Sequence, residues 1–327
     1  MTKHVQLTRR DYELFESLYR DPKTAEQLFV ESQAWSCPYQ SMSRLQTRLR
    51  LLCDASGRPG GRGAGFLQRW RYHDNNDGLS PYYYKLSRRG FHGCFGDDAQ
   101  LPSKRFLDAL SLNREPHTRQ LADCNVHTFV SARRAGVAVR NFYPENTNVA
   151  NITPQEKERE KGSGAEMLLP DSCFDLVSPV GNVWKVMLEL DRSTESQTAA
   201  VRRGKNWEET IRKYEALHYA SDNPFRVFIF CTASRQRVDN LLELAGRVVK
   251  NPKRLLFHGI YLPDYLACPQ PLQQPIFLDQ NGRAACMIPS RDFVLPPGNI
   301  EEAAHQTELA GRERHPATSA SMLSTCV

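Results

Sequence analysis

Val183–Asp191 reads Val-Trp-Lys-Val-Met-Leu-Glu-Leu-Asp, with Trp184, Val186, Leu188 and Leu190 at alternate positions. Alternate residues of a strand share a face. One face is therefore expected to enter a core, and the other, turned away from it, to end in Glu189 and Asp191. Asp171, from the strand before, is expected to join them, and the helix after is expected to supply Lys213. Converging carboxylates repel and lose hydration unless something positive lies between them. An oxygen-ligated divalent cation is the usual answer, which predicts carboxylates within about 4–6 Å of one another.

The flanking sequence constrains the fold. His117–Ala135 reads as a helix ending before Gly136, and Val137–Tyr143 and Met167–Val177 as strands. After Val183–Asp191 come a helix over Trp207–Tyr219, a strand over Phe225–Cys231, a helix over Gln236–Val249 and a strand over Leu255–Tyr261. The order αβββαβαβ makes this an α/β domain. His117 and His127 read as core or polar-face histidines rather than ligands. Asn146–Gly164 is polar and reads as a mobile loop. The Ser/Thr/Ala-rich end, residues 291–327, offers little apolar area to order it.

Residues 1–95 have another character. The net charge is +6, and this segment, with 15 Lys and Arg against 9 Asp and Glu, holds the whole excess. Thr8 with Asp11, and Thr24 with Gln27, read as capping boxes opening two helices. A third helix over Gln40–Cys53 puts Met42, Leu45, Leu49 and Leu52 on one stripe and Arg44, Arg48 and Arg50 off it. Phe66–Tyr72 and Pro81–Leu86 then read as a hairpin, a wing bearing Arg69, Arg71 and Lys85. Arg88 and Arg89 follow. Three short helices and a basic hairpin suit helix-turn-helix docking on double-stranded DNA. The charge alone fits a phosphate contact or a solvated basic face equally. Residues 1–95 are thus expected to form a winged helix-turn-helix DNA-binding domain, 96–116 a linker, and 117–290 the α/β domain.

No run of apolar residues is long enough to span a bilayer, and the polar, basic start carries no secretory h-region. Nine cysteines without a CxxC pair suit reduced thiols better than a disulfide framework or zinc site. A cytoplasmic protein without a membrane partner is the expectation.

An acid on the second strand, Glu-x-acid on the third and a basic residue in the next helix resemble the PD-(D/E)xK restriction-endonuclease-like core. Roughly residues 5–250 resemble the replication-relaxation family of mobile elements. The resemblance is carried by Leu7-Thr8-Arg9-Arg10-Asp11, Tyr84-Lys85-Leu86-Ser87-Arg88-Arg89-Gly90, Pro170-Asp171, Glu189-Leu190-Asp191-Arg192-Ser193-Thr194-Glu195, Lys213-Tyr214 and Arg226-Val227-Phe228-Ile229. It implies a winged helix joined to a nuclease-like domain, with a role in plasmid replication or mobilisation like that of mobilisation-protein-C relaxases. Asp191 stands where those enzymes carry Lys, and Lys213 would reach back in its place.

Two functions follow from the resemblance. In the first, the protein is a Mg²⁺- or Mn²⁺-dependent DNA endonuclease or relaxase. Asp171 and Glu189 hold the metal, with Asp191 as a third ligand or just outside the ligand set, Lys213 neutralises the phosphate, and the partners are a second copy or other mobilisation and replication proteins. In the second, it is a non-catalytic DNA-binding replication initiator or transcriptional regulator with a degenerate nuclease fold. On that reading the acids pair with Arg192, Lys205 or Arg212 at the surface.

Overall fold

The computed structural model describes residues 5–53, 65–73, 80–102, 104–143, 168–193, 206–220, 225–251 and 253–293. The chain is mixed α/β, with a three-stranded and a seven-stranded sheet.

The N-terminal region opens with α1 (Arg9–Arg20), β1 (Lys23–Thr24), α2 (Ala25–Ser32) and α3 (Met42–Cys53). Both capping boxes form: Asp11 takes the Thr8 backbone N–H at 2.7 Å, and Gln27 takes that of Thr24 at 2.8 Å. The hairpin β2 (Leu67–Arg71) and β3 (Tyr82–Leu86) follows, then α4 (Arg88–Phe95). The sheet order is β1-β3-β2, all antiparallel. Leu14, Phe15, Leu18, Leu28, Leu45, Leu49 and Leu52 of the helices meet Leu67, Tyr84 and Leu86 of the hairpin in one core.

Ser87-Arg88-Arg89-Gly90 locks this core from outside. The Ser87 hydroxyl caps α4 by accepting from the Gly90 N–H at 3.0 Å and donates to the Gly65 carbonyl at 2.6 Å. A Cβ on Gly90 would sit 2.0 Å from the Phe66 carbonyl oxygen, so only glycine lets the helix approach the strand so closely.

The stretch 96–116, read from sequence as a linker with room for a short helix over Arg105–Leu112, makes contacts with the N-terminal region at its described residues. It holds α5 (Lys104–Leu107) and one 3₁₀ turn, Leu112–Arg114. The Leu110 N–H donates to the Tyr83 hydroxyl at 2.9 Å, and Phe106 packs on Tyr19. Helix α6 then runs Glu115–Arg134, two residues longer at its start than the sequence pattern suggests. It ends at Gly136, whose φ of +71° permits the left-handed turn in which the Val137 N–H returns to the Ala132 carbonyl.

The large sheet follows: β4 (Ala138–Tyr143), β5 (Ser172–Val177), β6 (Val183–Asp191), α7 (Trp207–Ala220), β7 (Phe225–Cys231), α8 (Arg235–Val248), β8 (Phe257–Tyr261), α9 (Leu262–Ala267), β9 (Phe277–Asp279) and β10 (Ala284–Ala285). The αβββαβαβ order is as the alternation predicts; α9, β9 and β10 are additions beyond it. Strands β4, β5 and β6 form an antiparallel meander, β6, β7 and β8 are parallel, and β9 and β10 close the far edge antiparallel.

Both faces are covered. Phe174, Leu176, Val186, Leu188, Leu190, Phe228 and Phe230 pack beneath α6 and α9. Cys173, Met187, Val227, Ile229 and Cys231 pack beneath α7 and α8. Each large apolar side chain so buried contributes about 1.5–3 kcal/mol. The loop at 146–164 and the tail from 294 lie outside the described residues.

Candidate functional site

The covered second face relocates the acids. Glu189 and Asp191 do share a face, as the alternation requires, but it is the one beneath α7 and α8. Both residues are 2% exposed. The sequence pattern turned this face away from the core; it belongs instead to a second core, because helices flank the sheet on both sides.

Asp191 is held by three elements. The Arg237 guanidinium of α8 grips it with both ends of its fork, Nε to Oδ2 at 2.8 Å and Nη2 to Oδ1 at 3.0 Å. Trp207 Nε1, from the first turn of α7, donates to Oδ1 at 3.0 Å. The Ser193 N–H donates to Oδ2 at 3.2 Å, made possible by a left-handed turn at Ser193 with φ +58°. The cation opposite this carboxylate is therefore Arg237, not one of the basic residues the sequence put forward.

Glu189 accepts from the Tyr214 hydroxyl at 2.5 Å. Burial and the adjacent Glu189 carboxylate push the Tyr214 phenol far above its ordinary pKa, so it stays a proton donor. Lys213, next to Tyr214, pairs with Glu209 one turn back at 2.7 Å on the partly exposed side of α7.

Asp171 lies just before β5, where the chain leaves regular register. Its N–H donates to the Leu188 carbonyl at 3.0 Å, and its Oδ2 accepts from the Leu190 N–H at 2.7 Å. The side chain thus takes the place of a ladder carbonyl. Its other oxygen, Oδ1, lies 3.1 Å from His117 Nε2 of α6. His117, read from sequence as a core or surface histidine, is an acid partner.

Asp171 and Glu189 therefore sit at one end of adjacent strands, each tied to a different helix. Among the described residues, no group of three or more His, Cys, Asp or Glu side chains converges so as to hold a metal ion. With both oxygens of Asp191 taken by Arg237, Trp207 and Ser193, this carboxylate is not available as a third ligand beside Asp171 and Glu189.

The basic residues of the N-terminal region divide into two groups. Ser43, Arg44, Gln46, Thr47 and Arg50 line the exposed side of α3, opposite buried Leu45, Leu49 and Leu52. Arg69 and Arg71 are exposed on β2, against which α3 packs, and both guanidiniums lie over the Tyr82 ring at 5.2 and 5.0 Å. Arg88 and Arg89 are exposed on α4, with Arg89 over the Phe66 ring at 4.2 Å.

Arg48 and Lys85 point inward. Arg48 donates through Nε to Asp11 at 2.8 Å, pinning α3 to α1. Burial alone would raise the Asp11 carboxyl, but the bonds from Arg48 and Thr8 outweigh it and hold the group below its ordinary pKa. Lys85 is buried, and its ammonium donates to the Asp108 carbonyl at 2.6 Å. Their sequence signal was charge at the right period, which does not distinguish a clamp from a contact.

Comparison with protein-family models, with curated proteins and with solved structures finds no match.

Proposed function

We propose that this chain binds duplex DNA through a winged helix-turn-helix formed by its N-terminal region, and that its large α/β part is a PD-(D/E)xK-like scaffold that does not cut. The observation that carries the reading is the exposed row Ser43, Arg44, Gln46, Thr47 and Arg50 on α3, next to Arg69 and Arg71 of the hairpin. Such a helix supplies hydrogen-bonding side chains for base edges and guanidiniums for phosphates, while the hairpin arginines reach the flanking backbone. The partnering of Asp191 supports the absence of cutting: its carboxylate is used to bind β6, α7 and α8 together. A replication initiator or regulator of a mobile element is the role this combination suits.

A second reading, a metal-dependent nickase or relaxase, is favoured by one arrangement. Asp171 and Glu189 end adjacent antiparallel strands, followed by a helix and a parallel strand, in the αβββαβ order of that nuclease core. One experiment separates the two. The full chain is titrated with duplex DNA over a range of salt, then incubated with supercoiled plasmid carrying the element's own origin, with and without Mg²⁺ or Mn²⁺. Salt-sensitive binding without nicking is the expected result. Metal-dependent nicking lost in Glu189→Ala establishes the second reading, and absence of duplex binding refutes the first.

A further inference from the structure

Helix α6 is shared by the two parts of the chain. Its Arg119 carbonyl and Asp123 carboxylate, one turn apart, both accept from the Gln27 amide of α2, at 3.0 and 2.7 Å. Gln27 is also the capping-box residue of α2: its Oε1 accepts the Thr24 N–H that starts the helix, while its Nε2 makes the two bonds to α6. On the stripe formed by His117, Leu121 and Asn125, spaced i, i+4, i+8, α6 meets the sheet. His117 reaches Asp171, and Leu121 lies in the core under β5 and β6.

Asn125 stands where these surfaces meet. It is 0% exposed, and its amide nitrogen donates to Asp21 Oδ2 at 2.9 Å and to the Ser172 hydroxyl at 3.0 Å. Asp21 lies between α1 and β1, where it faces the fully buried Lys23 ammonium at 3.6 Å; Ser172 is the first residue of β5, next to Asp171. The Asn125 side-chain Oδ1 is buried and has no hydrogen-bond partner among the described residues. A buried amide with one end unsatisfied is unfavourable in itself. The two donor bonds that tie the N-terminal region to β5 offset that cost.

We infer that Asn125 is a positioning residue: through it, α6 holds the Asp171–Ser172 segment to the N-terminal region, so that DNA on that region is felt at the Asp171–Glu189 pair. The Leu190 N–H, which donates to Asp171 Oδ2, is the reporter. A lost hydrogen bond of ordinary strength corresponds to up to about tenfold in a local opening equilibrium.

The DNA arm of this inference rests on the DNA-binding reading above. The test is amide hydrogen exchange at Leu190 in the full chain, for wild type, Asn125→Ala and Ser172→Ala, with and without a random-sequence duplex at low salt. Ser172→Ala removes a single hydroxyl and remains informative if Asn125→Ala does not fold. Expected are exchange at Leu190 up to about tenfold faster in the variants, slowing on DNA addition in wild type, loss of that slowing in the variants, and duplex affinity within about twofold of wild type. Wild-type exchange at Leu190 in the folded variants overturns the positioning role. Duplex binding that leaves Leu190 exchange unchanged in wild type overturns the coupling. If wild type binds no duplex, the DNA-binding reading and the coupling fail together, while the variants' basal exchange still decides the positioning role.

Discussion

Asp191→Ala separates a structural from a catalytic carboxylate. In the folded protein, Asp191 is 2% exposed and takes both ends of the Arg237 fork, the Trp207 indole N–H and the Ser193 backbone N–H. Alanine takes the Asp191 carboxylate away from the Arg237 guanidinium, whose side chain is 13% exposed. Removing one partner of a buried pair costs about 3–5 kcal/mol, a large share of the roughly 5–15 kcal/mol that holds a typical domain folded. Arg237→Ala should cost a similar amount, because it strands the carboxylate instead. The double variant should be less destabilised than the sum of the singles, with a coupling energy of about 0.5–3 kcal/mol. Urea unfolding followed by circular dichroism measures all three, provided the slopes stay equal. A loss below about 1 kcal/mol for Asp191→Ala, with additive singles, refutes the argument that this carboxylate joins β6, α7 and α8.

Three further outcomes are expected. Arg44→Ala and Arg50→Ala should each weaken duplex binding and lower the slope of log affinity against log salt by about one, whereas Arg48→Met should act on stability; filter binding across salt and thermal melts distinguish them. Since Arg48 helps hold Asp11 below its ordinary pKa of 3.8, that stabilisation is present above this value and lost as pH falls through the depressed one. The urea-midpoint gap between wild type and Arg48→Met should therefore shrink below about pH 4. Tyr214→Phe removes the hydroxyl that donates to buried Glu189 and should cost about 1–3 kcal/mol, read from thermal melts, with duplex affinity unchanged.

Much of the architecture was legible because it depends on local spacing. Val183–Asp191 and Phe225–Cys231 form the strands their sequences describe, since β-branched and aromatic runs bounded by polar turns have few alternatives. The capping boxes at Thr8 and Thr24 are equally local. Where each side chain ends was less legible, because partners come from far along the chain. Arg237 is 46 positions from Asp191, and His117 is 54 from Asp171. An arginine near the start of an amphipathic helix carries no mark of the carboxylate it will meet.

The same limit explains the acids. Alternation establishes that Glu189 and Asp191 share a face, but whether that face is wet depends on what the crossover helices cover. Both connections after β6 are right for parallel pairing, β6 to β7 through α7 and β7 to β8 through α8. Parallel strands joined by helices are covered on their faces as a rule, so an acid on such a strand must find a partner inside. Glu189 found a phenol and Asp191 a guanidinium. Asp171, outside the regular ladder at the end of an antiparallel strand, kept contact with both the sheet and α6. Of the three, it is therefore the carboxylate whose partners are a strand backbone and the helix α6.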